Sequence, residues 1–231
     1  MLGRVLRQVV LRKQGRAPDD FRNHHTDEHD DNPETMELSW LPLSLRWLGA
    51  PVASSADGDS LTISAGPHTD WFVDPGTGVA RLEAPALVGP TEGDFLLSAR
   101  IEVDFASRFD AGVLALWRDE RTWAKLCFEY SPEAEPMVVS VVTRSASDDC
   151  NSSVIEGNAV WLRIARIGRA FAFHSSTDGA DWQLVRHFAL TPDGEIEVGF
   201  LAQSPLGTGC TARFSDIRFS ATTLADLRSG G

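Results

Sequence analysis

The segment Thr122–Tyr130, TWAKLCFEY, carries the densest chemistry in this chain. Read with the two-residue period of a β-strand, it puts Trp123, Lys125, Cys127 and Glu129 on one side and Ala124, Leu126, Phe128 and Tyr130 on the other. An indole, an ammonium and a carboxylate along one strand face can stack on the apolar side of a sugar and hydrogen-bond its hydroxyls. The same side chains can also decorate a solvated sheet face, with Glu129 paired as an ion to Lys125 or to Arg163. Two further segments pose the same choice. In TDWFVDP (Thr69 to Pro75), Trp71 and Asp74 could reach the rim of a binding site; the plainer reading, preferred here, has Phe72 plugging the core while Asp70 and Asp74 make turn hydrogen bonds. In Asp110-Ala111-Gly112, Asp110 could contact a ligand that Gly112 lets approach closely, or Gly112 only marks a bulge.

Other chemistries find little support, and no catalytic residue, metal ligand or cofactor is expected. His24, His25 and His29 include one pair at helical spacing, but the segment lacks apolar residues to hold a helix. His68, His174 and His187 are scattered, and no Ser/His/Asp or Cys/His order stands out. Cys127, Cys150 and Cys210 show no C-x-x-C spacing and cannot all pair within the chain, which favours a reducing, cytoplasmic location. Leu206-Gly207-Thr208-Gly209 lacks the lysine and helix of a phosphate loop, and Asn151-Ser152-Ser153 is a glycosylation sequon without a secretion signal beside it. Glu195 and Glu197 read as a solvated strand face.

The elements that must position these groups are strands. Short alternating runs recur between turn signals such as Asp57-Gly58, Gly66-Pro67, Glu92-Gly93, Asp178-Gly179 and Asp193-Gly194. FLLSARIEVDF sends Phe95, Leu97, Ala99, Ile101, Val103 and Phe105 one way and Leu96, Ser98, Arg100, Glu102 and Asp104 the other. Ile196, Val198, Phe200 and Ala202 alternate with Glu195, Glu197, Gly199, Leu201 and Gln203. Ala212 and Phe214 fall out of phase with Ile217 and Phe219, which predicts a β-bulge near Ser215-Asp216. This density of strands without helical stripes implies an all-β, jelly-roll-like sandwich of two antiparallel sheets.

The chain has 231 residues, 42% of them hydrophobic, which suits one large β domain. Residues 1–35 are read as a disordered extension, 36–220 as the sandwich and 221–231 as a tail that frays or hangs in solvent. A formal charge of −12 argues against a nucleic-acid partner. No apolar run reaches the length of a membrane span, so a soluble protein with no membrane partner is expected.

The ordered segments TDWFVDP, AGVLALWRDERTWAKLCFEY, VVSVVTRSASDD, VWLRIAR, STDGADW, VGFLAQSPLGTG and FSDIRF together resemble the DUF1349 family, concanavalin A-like sandwiches labelled as regulation-of-enolase-like proteins. That resemblance spans Leu38 to Phe219 and implies a curved lectin/glucanase-type jelly roll with no established catalysis. It also implies an open groove on the concave face, where Ser140, Arg163 and Gln203 would join Trp123, Lys125 and Glu129. After Ser147-Asp148 the chain departs from the family pattern, with Asp149 and Cys150 where an aromatic residue is expected, which argues against a ligand role for that loop. Glu102-Val-Asp104 begins like the E-x-D-x-x-E motif of glucanases sharing the fold, yet Ser107 stands where the second glutamate belongs. The leading expectation is a non-catalytic module for a carbohydrate or polyhydroxylated metabolite. The alternatives are a protein-interaction or metabolic regulatory factor with a protein partner and, behind both, a glycoside hydrolase.

Overall fold

The computed structural model describes residues 35–190 and 194–231. The histidine-containing extension therefore lies outside the described residues. The strands are β1 (Thr35–Glu37), β2 (Ser44–Leu48), β3 (Ala53–Asp57), β4 (Ser60–Ala65), β5 (Trp71–Val73), β6 (Ala80–Leu82), β7 (Ala86–Thr91), β8 (Phe95–Val103), β9 (Ala111–Asp119), β10 (Thr122–Tyr130), β11 (Pro136–Arg144), β12 (Ser147–Val154), β13 (Ala159–Ile167), β14 (Ala170–Ser176), β15 (Gln183–Phe188), β16 (Ile196–Gln203) and β17 (Cys210–Ser220). Eight form one sheet in the order β1-β2-β7-β16-β9-β10-β11-β12, seven form a second in the order β15-β14-β13-β8-β17-β4-β3, and β5 pairs with β6 alone. All these pairings are antiparallel. Among the described residues no helix is long and apolar enough to cross a membrane.

Alternation sets the layers. The inward phases of β8, β10 and β16 meet between the sheets, where Leu97, Ile101, Leu126, Phe128, Val198 and Phe200 share one core. The sheets approach closely at Gly112, where a Cβ would come within 2.6 Å of Ile101 and 2.9 Å of Ala212. That glycine serves sheet packing, and neither a ligand nor a bulge accounts for it. The expected irregularity in β17 is present: pairing with β8 shifts register between Ser215 and Arg218, and Asp216 takes a positive φ of 48°. This slip brings Ile217 into the same core as Phe214.

A second apolar cluster occupies the outer face of the eight-stranded sheet. Val113, Ala115, Trp123, Val139 and Leu201 lie there beneath Trp71 and Val73 of β5. The β5–β6 hairpin thus covers part of a face expected to be open.

The C-terminal segment also differs from expectation. It forms no helix and does not hang free: His174 bonds the carbonyl of Leu227 at 2.8 Å, and Arg163 Nη2 donates to the carbonyl of Gly230 at 2.6 Å. Asp226 closes the final turn by accepting the amide of Gly230 at 2.9 Å on its backbone oxygen.

Candidate functional site

The covering hairpin is fastened at several points. The Trp71 ring lies 4.8 Å from Trp117 and 5.8 Å from Trp123, and its Nε1 donates to Ala84 O at 3.0 Å. The amide of Val73 donates to Ser147 Oγ at 2.9 Å, itself 2.8 Å from Thr143 Oγ1. Thr69 and Ser204 exchange backbone bonds of 3.2 Å. Beside the hairpin a cavity of about 280 Å³ remains, with Lys125, Glu129 and Gln203 on the sheet side, Val139 and Val141 from β11, Phe72 and Phe109 from the hairpin and a loop, and Asp70 and Asp149 completing it.

Lys125 organises the polar side. Although it is only 2% exposed, its Nζ donates to Gln203 Oε1 at 2.8 Å and to Asp70 Oδ1 at 3.2 Å. Gln203 in turn donates from Nε2 to Phe109 O at 3.1 Å. Burial opposes the lysine's charge, but Asp70 and Glu129 outweigh it and hold the ammonium's pKa above its ordinary value. Lys125 therefore remains a cation with one N–H beyond its two bonds. Glu129 has no hydrogen-bond or ion-pair partner among the described residues. Burial raises its pKa to about 7, with Asp70 and Asp149 adding repulsion and Lys125 opposing them. Near neutrality this carboxyl can donate or accept, which suits a hydroxyl-rich partner.

Phe109 sits in a left-handed backbone conformation, φ 69°, uncommon for a residue with a side chain. Its loop is tied by Asp110, whose Oδ2 accepts the amides of Ala106 and Ser107 at 3.0 and 2.7 Å and whose Oδ1 accepts Ser204 Oγ at 2.7 Å. Asp110 is wholly buried and its oxygens are spoken for, so it positions the loop and offers nothing to a ligand.

The structure thus brings Lys125, Glu129 and Gln203 to one cavity and separates the other sequence candidates from it. Trp123 keeps the expected face but is fully buried under Trp71, so its ring offers no open platform. Trp71 is the plug of the hairpin, the part expected of Phe72, while Phe72 faces the cavity. Asp74 makes the turn bonds anticipated, accepting the amides of Gly76 and Thr77 at 2.9 and 2.6 Å. Ser140 is out of phase: its neighbours Val139 and Val141 belong to the outer cluster, whereas Ser140 is buried on the other side and meets Arg186 at 3.4 Å. Arg163 belongs to β13 of the seven-stranded sheet, so neither a groove contact nor an ion pair with Glu129 exists. Lys125 pairs with Asp70 and not with Glu129.

Asp70, Phe72, Phe109, Val139, Val141 and Asp149 were not singled out as ligand contacts by sequence. Val139 and Val141 follow from alternation once β11 is paired with β10, and Asp149, whose segment was expected to take no part in a site, lines the cavity through its register opposite Val141. Phe109 gave no signal, because its placement depends on a loop held by buried hydrogen bonds. Glu102, whose motif resembles the glucanase one, pairs with Arg100 at 2.8 Å, and Glu197, expected on a solvated face, is tied to Arg46 at 2.8 Å. Neither lines the cavity.

Comparison with known proteins fits this architecture. Among solved structures, a functionally unknown protein from Saccharomyces cerevisiae superposes with a TM-score of 0.72 at 25% identity, over 78% of this chain and 97% of that one. A xylan beta-1,4-xylosidase from Bacillus halodurans C-125 gives 0.56 at 16% identity over 73% of this chain, and a bifunctional GH43-CE protein from Bacteroides eggerthii gives 0.61 at 16% over 80%. This chain spans only 38% and 24% of those two proteins, and the likeness is one of fold. No curated protein matches the sequence. The family profile described as a protein of unknown function, DUF1349, matches residues 47–222, and by that match the chain belongs to the DUF1349 family.

Proposed function

We propose that this protein is a non-catalytic binding module whose cavity takes one small polyhydroxylated molecule, a single sugar ring or a metabolite of similar size. The carrying observation is the convergence of the hydrogen-bonded Lys125, Asp70 and Gln203 with the unpartnered Glu129 carboxyl in a cavity whose other walls are Phe72, Phe109, Val139, Val141 and Asp149. Polar groups that alternate as donor and acceptor against an apolar wall match the two faces of a sugar. At about 280 Å³ the space falls at the lower edge of ligand pockets, which begin at roughly 300 Å³, so it suits a ring better than a chain. Three carboxyl groups against one lysine make the site acidic, favouring neutral or amine-bearing sugars over sugar phosphates and uronates.

The raised pKa of Glu129 also suits a general acid, which gives the hydrolase reading its one foothold. Against it, Asp70 is already engaged by Lys125, leaving only Asp149, at the cavity's exposed edge, as a second carboxylate. Calorimetric titration of the full chain with neutral, amino and phosphorylated monosaccharides and polyols tests the proposal. A neutral or amino ligand should bind without turnover and lose at least tenfold in affinity in Asp149→Trp, an exposed-site change that blocks the cavity. Binding by none of them, or equal binding by the variant, would overturn the reading.

A further inference from the structure

A second cavity, of about 220 Å³, opens on the outer face of the seven-stranded sheet, where Ser98, Trp161, Arg163, Trp182, Arg218 and Ser220 line it. Strand register explains the grouping. Arg163 lies opposite both His174 and Ser98, and Ser98 lies opposite Arg218, so these four side chains form one row across β14, β13, β8 and β17. Their sequence neighbours Leu97, Ile164, Phe173 and Ile217 all enter the core, which turns the row outward. The bulge in β17 supplies the last member, since the register slip is what sets Arg218 opposite Ser98.

The row has an imbalance of charge. Arg163 is 7% exposed, with its guanidinium stacked 4.2 Å from the Trp182 ring centre. Its Nη2 bonds a neutral carbonyl, that of Gly230, and its Nε is buried without a partner. No carboxylate lies within ion-pair distance of it among the described residues. Asp216 also lines the cavity, but its charge is balanced by Arg218: Oδ1 accepts Arg218 at 2.7 and 3.0 Å, and Oδ2 accepts Trp161 Nε1 at 3.2 Å, so Arg163 is left as the uncompensated charge. His174 cannot neutralise a cation. A buried charge without a counter-ion is costly, and proteins normally pair it.

We propose that this cavity binds a small organic oxyanion, a carboxylate or phosphate on a planar or apolar body, with Arg163 as its counter-ion and the body beside Trp161 and Trp182, which line the cavity. A guanidinium already oriented by stacking loses little freedom on meeting an oxyanion. Arg218 and the hydroxyls of Ser98 and Ser220 lie along the same cavity. The aromatic wall is drawn in tightly, because Gly179 at φ +75° lets its loop approach so closely that a Cβ there would lie 2.9 Å from Trp161 Nε1. The preference is local, arising on a chain whose formal charge is −12, and it is opposite to that of the acidic cavity on the other sheet.

Tryptophan fluorescence and calorimetry on the full chain, titrated with benzoate, phenyl phosphate, inorganic phosphate and the neutral benzyl alcohol, test this. Benzoate or phenyl phosphate should bind saturably and at least tenfold more tightly than benzyl alcohol, and which of the two binds better identifies the headgroup. Arg163→Met, which keeps a side chain against Trp182, should lose at least tenfold. Arg218→Ser, at a side chain 73% exposed and therefore safe for folding, should weaken the same anion severalfold. Asp149→Trp should leave it unchanged, separating this site from the sugar site. No saturable binding of either aromatic anion, equal binding of benzyl alcohol, or undiminished binding by both arginine variants would overturn the proposal.

Discussion

Replacing Glu129 with glutamine should change how stability depends on pH. The folded state raises the Glu129 pKa from 4.5 to about 7, first through burial and then through Asp70 and Asp149, against the pull of Lys125. A raised value means that the folded chain holds this proton more tightly than the unfolded chain does. The associated stability is complete below pH 4.5, is lost as pH climbs through about 7, and is flat beyond. Each tenfold change in proton affinity is worth about 1.4 kcal/mol, so the loss approaches roughly 3 kcal/mol. That figure is a ceiling, because the carboxyl is partly open to solvent through the cavity. Glu129→Gln removes the titration and leaves the other carboxylates in place. Urea unfolding of both proteins from pH 4.5 to 8.5 should show the variant gaining on the wild type by about 1 to 3 kcal/mol, with the gain ending near pH 7. Parallel stability profiles, or a carboxyl resonance titrating near 4.5, would refute the reasoning.

Trp123→Phe should cost less than about 1 kcal/mol in chemical denaturation, because its indole N–H is buried without a partner. Trp71→Phe should cost about 1 to 3 kcal/mol, since it surrenders the bond to Ala84 O and leaves that oxygen buried. Lys125→Met should destabilise by about 3 kcal/mol or more by stranding Asp70 and Gln203, and adding Asp70→Asn should recover part of the loss, a coupling that a double-mutant cycle measures. Asp110→Ala should cost on the order of 3 kcal/mol and broaden the amide resonances of Ala106–Phe109, because three hydrogen bonds to its carboxylate hold that loop.

Local alternation made the strands legible, including the opposed phases of β8, β10 and β16 and the bulge at Ser215-Asp216. It also assigned Lys125, Glu129 and Gln203 correctly to an outward face. What it could not supply was the identity of whatever lies above that face. Trp123 has the same phase as Lys125, yet a hairpin from fifty residues earlier in the chain covers one and leaves a cavity at the other. Arg163 was misplaced for a related reason: period two tells which way a side chain points, whereas sheet membership depends on long-range pairing that one sequence does not display. Ser140 shows the limit of register, since a shift of one residue along β11 separates it from the cavity-lining valines. Phe109 and the docked C-terminal turn rest on side-chain to backbone bonds between distant segments, for which no sequence pattern exists.

The cavity lined by Lys125 and Glu129 is proposed to bind a hydroxyl-rich ring. Amide chemical-shift mapping of the isotope-labelled full chain, titrated with a panel of neutral monosaccharides, amino sugars and polyols, tests it most directly. Saturable shifts confined to Phe72, Phe109, Glu129, Val139, Val141 and Asp149 are predicted for at least one ligand. Spectra that stay unmoved across the panel, or shifts clustered elsewhere on the protein, would contradict the account.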